Sequence, residues 1–441
     1  MSKSAPVSFL AHFAALSDPR QAAKVLYPLP EILLILLCGT LAGADDFVEL
    51  ALWGRENLRF LRRFARFAHG IPSHDTLCEV IAAIDPDALR GCFTAWVNSL
   101  RAPGPEVIAI DGKTSRRSGA RSSGREPLHT VSAWATRQRL VLGQETVQTK
   151  SNEITAIPVL LRRLELQGAL VTIDAMGTQR EVAQTILDGG GDYVLALKAN
   201  WPATLKAAQA LFENPPRGRA GKTYQTVDTG HGRRETRRYR VCSELGAFFA
   251  RPGTRDSPTF PGVAMVGMVQ SETERDGKIE QETRYYLCST KLDAETFGRV
   301  VRGHWGIENR LHWVLDVVFR DDLARLRTDH GPANMAVVRH MAINLLRQAT
   351  PSISLKNRRK RAAWNTDYLA NSFARQLNVH SIPLGQSPWP SSNAPHFAYS
   401  GVCAANLALY AARNSVDFFR KAISDFTMYL IANSGIGDLS G

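Results

Sequence analysis

The stretch LVTIDAMGTQREVAQTILDGGGDYVLAL, Leu170 to Leu197, decides how the chain is read. Leu170-Val-Thr-Ile173 is an apolar strand that stops at Asp174, a helix follows over residues 178–187, and Gly189-Gly-Gly191 ends it before a second apolar strand, Tyr193-Val-Leu-Ala-Leu197. Strands without polar alternation are covered on both faces, as parallel strands of α/β sheets are. Upstream, Val107-Ile-Ala-Ile110 has the same character and stops at Asp111. Residues 129–136 and 140–147 read as a hairpin, and Ser151 or Asn152 caps a helix over 153–166. Strand, hairpin, helix, strand, helix, strand describes a mixed sheet flanked by helices.

On either side the pattern changes. Residues 8–100 read as an all-helical N-terminal domain, in which Phe60, Leu61, Phe64 and Phe67 alternate with Arg59, Arg62, Arg63 and Arg66. This basic stripe faces solvent, DNA or a partner helix. Ala102-Pro-Gly-Pro105 is a linker, and the α/β part occupies 105–198. From 199 to 291 polar and apolar residues alternate with few helical signals, so this region reads as a β-rich insertion; residues 263–269 and 283–288 flank the turn Glu274-Arg-Asp-Gly277. Helical pattern returns over 292–350. The run Lys356-Asn-Arg-Arg-Lys-Arg361 reads as a basic tail, and 371–441, with Ser, Pro and Asn clusters at 386–395, as a divergent end without assigned role.

At 441 residues the chain holds more than one typical core. Its net charge of +13 favours a polyanionic partner through counterion release. The six cysteines form no CxxC pair and read as buried thiols of a reducing compartment. No export signal is evident, and the apolar run 32–44 is shorter than the roughly 20 residues a membrane span needs, so it reads as a buried helix. The expected setting is the cytoplasm, without membrane association.

Chemistry gathers where the two central strands end. Open α/β sheets place ligands at the carboxyl ends of their strands, where Asp111 and Asp174 stand. A single such aspartate is more often a turn or helix cap. The segment 302–316 alters that balance, because His304, Glu308, His312 and Asp316 recur every four residues and so share one face of a helix, beside an apolar stripe of Ile307, Leu311 and Leu315. Trp305 and Trp313 mark this helix as largely buried, and a buried carboxylate needs a metal or a cation. Three carboxylates from Asp111, Asp174 and Glu308 can hold two Mg²⁺ or Mn²⁺ ions, which suit phosphodiester chemistry. A zinc site made by the helix alone is the weaker reading, since no HExxH spacing is present. Lys113, Arg116 and Arg117 lie near Asp111, and a second basic group, His231, Arg233 and Arg237, lies in the insertion; both can contact phosphates.

The motifs Ala109-Ile-Asp111-Gly-Lys113, Ile173-Asp174-Ala-Met-Gly177, Gly191-Asp-Tyr-Val-Leu-Ala-Leu-Lys198, His231-Gly-Arg233 with Glu235, and His304-Trp-Gly-Ile-Glu308-Asn309 with His312-Trp313 resemble the H-repeat-associated branch of bacterial insertion-sequence transposases of the Asp-Asp-Glu class. The resemblance spans residues 8–370. It implies a ribonuclease-H-like fold, Asp111, Asp174 and Glu308 as metal ligands, N-terminal helices that help recognise transposon ends, and a homodimer acting on terminal inverted repeats and target DNA. It also implies cleavage at the element ends followed by strand transfer. A metal-dependent nuclease and an inactive DNA-binding descendant are the competing readings. Related proteins carry Arg and Lys where this chain has His304 and Leu315, so His304, Asn309, Arg310 and His312 are expected to grip the DNA strand here.

Overall fold

The computed structural model describes residues 9–119, 124–147, 152–214, 223–230, 232–246, 260–349 and 352–377. All of them lie in the first of two units, which ends at Pro388.

The N-terminal region is helical, as its pattern requires: α1 (Phe9–Phe13), α2 (Leu29–Leu41), α3 (Phe47–Glu56), α4 (Leu58–Leu61), α5 (His74–Ala83) and α6 (Pro86–Leu100). Their starts are locally encoded. Asp46, Ser73 and Asp85 accept backbone N–H bonds at the heads of α3, α5 and α6, and Pro begins the first turn of α2 and of α6. The apolar run 32–44 falls in α2 and the residues after it, and nearly all of α2 is buried. No helix among the described residues is long and apolar enough to cross a membrane. Phe60, Leu61, Phe64 and Phe67 are buried and the four neighbouring arginines exposed, yet the helix is not continuous. It stops at Leu61, and Phe67 sits at φ 46° with its N–H donated to the buried carboxylate of Glu31 at 2.7 Å.

Nine strands form one mixed sheet in the order β3-β2-β1-β4-β5-β9-β8-β7-β6. They are β1 (Val107–Ser115), β2 (Leu128–Ala135), β3 (Leu140–Thr146), β4 (Leu170–Ile173), β5 (Asp192–Leu197), β6 (Tyr224–Gly230), β7 (Arg233–Cys242), β8 (Met265–Arg275) and β9 (Lys278–Cys288). β1, β4 and β5 are parallel to one another, and every other pairing is antiparallel. The parallel strands are buried on both faces, as their unbroken apolar character requires. The inserted strands β6 to β9 extend this sheet from the edge of β5 and make no separate sheet. The insertion also holds a helix that the alternating pattern hid, α9 (Pro202–Glu213), which starts on Pro202.

β1 does not stop at Asp111. Its pairing with β4 ends at Ile110–Ile173, while its pairing with β2 continues to Ser115. Asp111 therefore stands where β1 loses a neighbour on one side, at a notch in the sheet. Successive strand side chains point to opposite faces. Gly112 and Thr114 face α7 (Glu153–Arg163), whose Glu153 lies against Gly112. Asp111 and Lys113 face the opposite layer, built from α10 (Ala294–His304), a π-helical turn (Glu308–His312) and α11 (Trp313–Val317). α8 (Arg180–Asp188) packs on β5 and α7.

The long helix α12 (Gly331–Gln348) joins the sheet to the N-terminal helices. Its buried Asn334 donates to the carbonyls of Ile81 and Ile84 at the end of α5. Its buried Asn344 acts as a short strand, accepting from Val141 N–H at 2.8 Å and donating to Val141 C=O at 2.9 Å, so the edge strand β3 has no free backbone there. The basic run does not form a solvated tail but helix α13 (Leu355–Trp364), in which Arg359 is buried and donates to the carbonyls of Thr40, Ala44 and Val318 and to Asp45. α14 (Thr366–Leu377) covers the start of the region 371–441, and the rest of that region lies outside the described residues. Cys38 and Cys288 are buried, Cys78, Cys92 and Cys242 are partly exposed, and Cys403 is outside the described residues.

Replacing Asn344 by Leu strands the N–H and C=O of Val141 in the interior. Each orphaned group costs about 1–3 kcal/mol. Urea denaturation of Asn344→Leu is expected to show a loss of about 2–5 kcal/mol, against less than about 0.5 kcal/mol if the pair contributes nothing.

Candidate active site

Three other carboxylates lie within charge range of Asp111. Burial raises the carboxyl of Asp111 to about 7, the Gly112 N–H works against that rise, and the charges of Asp174, Glu153 and Glu308 add to it. Asp174 follows β4 directly and is held by its own turn, accepting from the N–H groups of Met176 and Gly177, both at 3.1 Å. Glu308 begins the π-helical turn and, with Asp174, lines a cavity of about 180 Å³ together with Lys198, Tyr285, His304 and Trp305. Asp111, Asp174 and Glu308 are thus brought within electrostatic reach of one another from two strands and a helix.

The helix carrying Glu308 differs from a regular α-helix. In an α-helix, residues four apart drift round the axis by about 40° per step. A π-turn holds more residues per turn, so each advances less and the drift across Glu308–His312 runs the other way. His304, Glu308 and His312 stay aligned as a result. The expectation that the tryptophans bury this helix, and its carboxylate with it, holds only in part: Trp305 is half-buried, whereas Trp313 is 56% exposed and Glu308 is exposed as well, because the buried side of the helix is the apolar stripe. Ile307, Leu311, Val314 and Leu315 supply the buried stripe.

Both histidines turn inward. His304 Nδ1 lies 2.9 Å from the hydroxyl of Thr172, and burial lowers its pKa against the pull of Asp174. His312 Nδ1 lies 3.5 Å from Asp111 Oδ2, and burial together with the Lys113 charge lowers its pKa to about 4. Neutral at pH 7, it is no counter-ion for Asp111.

Lys113 is not on the surface. Its ammonium is buried, 2.6 Å from Asp316, 3.5 Å from Asp321 and 3.4 Å from Asp322. These three aspartates offer oxygens within 4.8 Å of one another, the spacing of a cation site, and the lysine already stands there. Asp321 also meets Arg339 at 2.9 Å and Ser115 at 2.5 Å. Burial alone would raise Asp321, but Arg339, Ser115 and Lys113 outweigh it and hold the carboxyl below its ordinary range.

The other basic residues divide. Arg116 is exposed and 3.2 Å from Asp322, and Arg117 is exposed. Arg237 is 11% exposed and pinned by Asp228 at 2.8 Å and by Glu235. Arg233 is half open and borders, with Glu308, Asn309 and Trp305, a second cavity of about 310 Å³. Asn309 and Arg310 are exposed and line a third, of about 610 Å³, with Arg137, Arg299 and Arg302. His231 lies outside the described residues. Sequence reasoning passed over Arg299, Arg302, Lys198 and Glu153. Arg299 and Arg302 were legible as the exposed edge of an amphipathic helix, and Glu153 had only its place behind a capping Asn.

Comparison with known proteins gives a consistent picture. The model described as "Transposase DDE domain" matches residues 102–345, and the one described as "DDE_Tnp_1-associated" matches residues 10–97. The chain is 36% identical over 374 residues to the "H repeat-associated putative transposase YhhI" of Escherichia coli (strain K12), covering 82% of this chain and 97% of that protein. It is 40% identical over 288 residues to the "Uncharacterized protein in dhlA 3'region" of Xanthobacter autotrophicus, covering 64% of this chain and 94% of that protein. It is 37% identical over 71 residues to the "Inactive transposase YbfQ" of the same E. coli strain, covering 16% of this chain and 84% of that protein.

Burial of the Asp111 carboxyl among like charges has a measurable cost. A carboxyl raised to about 7 in the folded protein, from 3.8, contributes no penalty below about pH 4, and stability falls as pH rises towards 7. Asp111→Asn is therefore expected to stabilise the metal-free protein by roughly 2–4 kcal/mol at pH 8 and by much less at pH 4. Thermal melts in EDTA check this, and an equal effect at both pH values would contradict it.

Proposed function

The chain belongs to the transposase DDE family, and on that premise we propose that it cuts DNA at the ends of an insertion sequence and joins the freed 3′-hydroxyl to target DNA. The family implies DNA binding and the use of divalent metal. What supports the reading is that Asp174 and Glu308 line one cavity and that their charges act on Asp111, which burial and like charge raise with no lysine or arginine paired to it among the described residues. An all-oxygen donor set under such repulsion fits a hard divalent cation. Asp111, Asp174 and Glu308 would hold two Mg²⁺ or Mn²⁺ ions. When bound, such a pair activates a water or 3′-hydroxyl and stabilises the leaving oxygen of a phosphodiester.

The protein groups have separate tasks in this reading. The Met176 and Gly177 amides fix the Asp174 carboxylate, and His312 backs Asp111 as a neutral contact. Lys113 ties β1 to the helical layer through Asp316, and so keeps Asp111 and Glu308 at a set separation; this role replaces phosphate contact at that residue. Phosphate contact falls instead to exposed or half-open groups round the three cavities: Lys198, Arg233, Asn309 and Arg310, joined by Arg299 and Arg302. Arg116 and Arg117 extend the basic edge near the first strand. Two element ends must be held together for joining, so the acting form is a homodimer on DNA, with the helices of residues 8–100 reading the terminal inverted repeat.

The test is incubation of the full chain with a labelled terminal inverted repeat, supercoiled target and Mg²⁺. Metal-dependent nicking and a joined product are expected, both reduced more than about a hundredfold in Asp174→Ala, since even supporting residues of a metal site carry 10–100-fold. Nicking without joined product would favour a nuclease. Equal cleavage by both proteins would defeat the assignment.

A further inference from the structure

We propose that Glu153 is a fourth carboxylate of the metal site, reaching it from the far face of the sheet through the gap that Gly112 leaves beside Asp111. The inference rests on the reading of the notch as a divalent-metal centre.

Glu153 is the first residue of α7, on the face of β1 opposite to Asp111. A side chain at residue 112 would ordinarily fill the space between them. Here it cannot, because a Cβ on Gly112 would lie 2.1 Å from Glu153 Oε1 and 2.8 Å from His129 Nε2. The Glu153 carboxylate occupies the side-chain space of the residue next to Asp111, and its charge acts on Asp111 alongside those of Asp174 and Glu308.

The carboxylate is also aimed. His129, on β2 directly opposite Thr114, lies with Nδ1 2.7 Å from the Thr114 hydroxyl and Nε2 2.7 Å from Glu153 Oε1. With the hydroxyl donating to Nδ1, Nε2–H donates to Oε1 and leaves Oε2 without a hydrogen-bond partner among the described residues. Hydrogen bonds of this kind orient metal-binding carboxylates. The side chain is only 14% exposed, and among the described residues its sole basic neighbour within ion-pair distance is His129. Enclosing a carboxylate without a full counter-charge is costly. The head of α7, capped by Asn152, offsets part of that cost, and a cation at the adjoining notch would offset more.

A purely structural alternative assigns Glu153 and His129 to fastening α7 onto β2. Glu153→Gln separates the two roles, since it keeps the acceptor for His129 and the side-chain size but removes the charge. Mn²⁺ titration of the full-length chain by calorimetry and electron paramagnetic resonance reads the difference. Two Mn²⁺ per chain are expected for wild type, with one site weakened about 10–100-fold in Glu153→Gln while the metal-free protein stays folded and melts no lower than wild type. Gly112→Ala, which displaces the carboxylate without removing it, is expected to weaken Mn²⁺ binding in the same direction. Glu153→Gln with the wild-type isotherm overturns the inference; if Asp174→Ala has meanwhile lost Mn²⁺, the functional reading survives. A folded wild type that takes up no Mn²⁺ overturns both.

Discussion

A buried ammonium holds the two halves of the site together. Lys113 leaves β1 two residues after Asp111, on the same face, and ends among Asp316, Asp321 and Asp322, just beyond the helical turn that carries Glu308. Arg339 meets Asp321 inside and the exposed Arg116 meets Asp322 at the solvent edge, so three cations face three anions across the cluster. Such clusters contribute little net stability, because desolvation consumes most of the attraction, but breaking one is costly and so their geometry is strictly held. The consequence is positional. A strand and a helix separated by about two hundred residues of sequence are locked in register by one side chain.

A few ångströms away the opposite condition applies. At the notch, burial raises the Asp111 carboxyl and the charges of Asp174, Glu153 and Glu308 add to the rise, with no lysine or arginine paired to Asp111 among the described residues. Asp316, Asp321 and Asp322 make the tighter acidic set, but Lys113 already stands among them, and it is on this difference in charge balance that the proposed metal ligands are placed at the notch.

Much of this was legible in the residues. The apolar runs before Asp111 and Asp174 forced buried parallel strands, and the four-residue recurrence of His304, Glu308 and His312 forced a common helical face. Local patterns carry such information because burial and periodicity act residue by residue. The π-turn was not legible, since nothing in Glu308-Asn-Arg-Leu-His312 departs from helical composition. Nor was the burial of Lys113 or of Arg359. A basic side chain reads as solvent-seeking until its partners, distant in sequence, are known. Glu153 was hidden for a related reason: behind Asn152 it resembles any acidic residue in a first helical turn.

Gly112 shows how the two kinds of evidence join. In sequence it is a small residue between Asp111 and Lys113, which faces neither the cluster nor the notch. In the structure its missing side chain leaves room for the Glu153 carboxylate of the far layer against the strand, next to Asp111 in sequence, and in the reading proposed above both layers of the sheet then contribute to one site. Alternation along a strand normally keeps the chemistry of the two faces apart. A glycine at the notch removes that partition at one point only, where β1 has already lost its neighbour β4 and the sheet is open. On that reading the strand needs three different residues in succession: a carboxylate for the proposed site, a gap for the opposite layer, and a lysine for the framework.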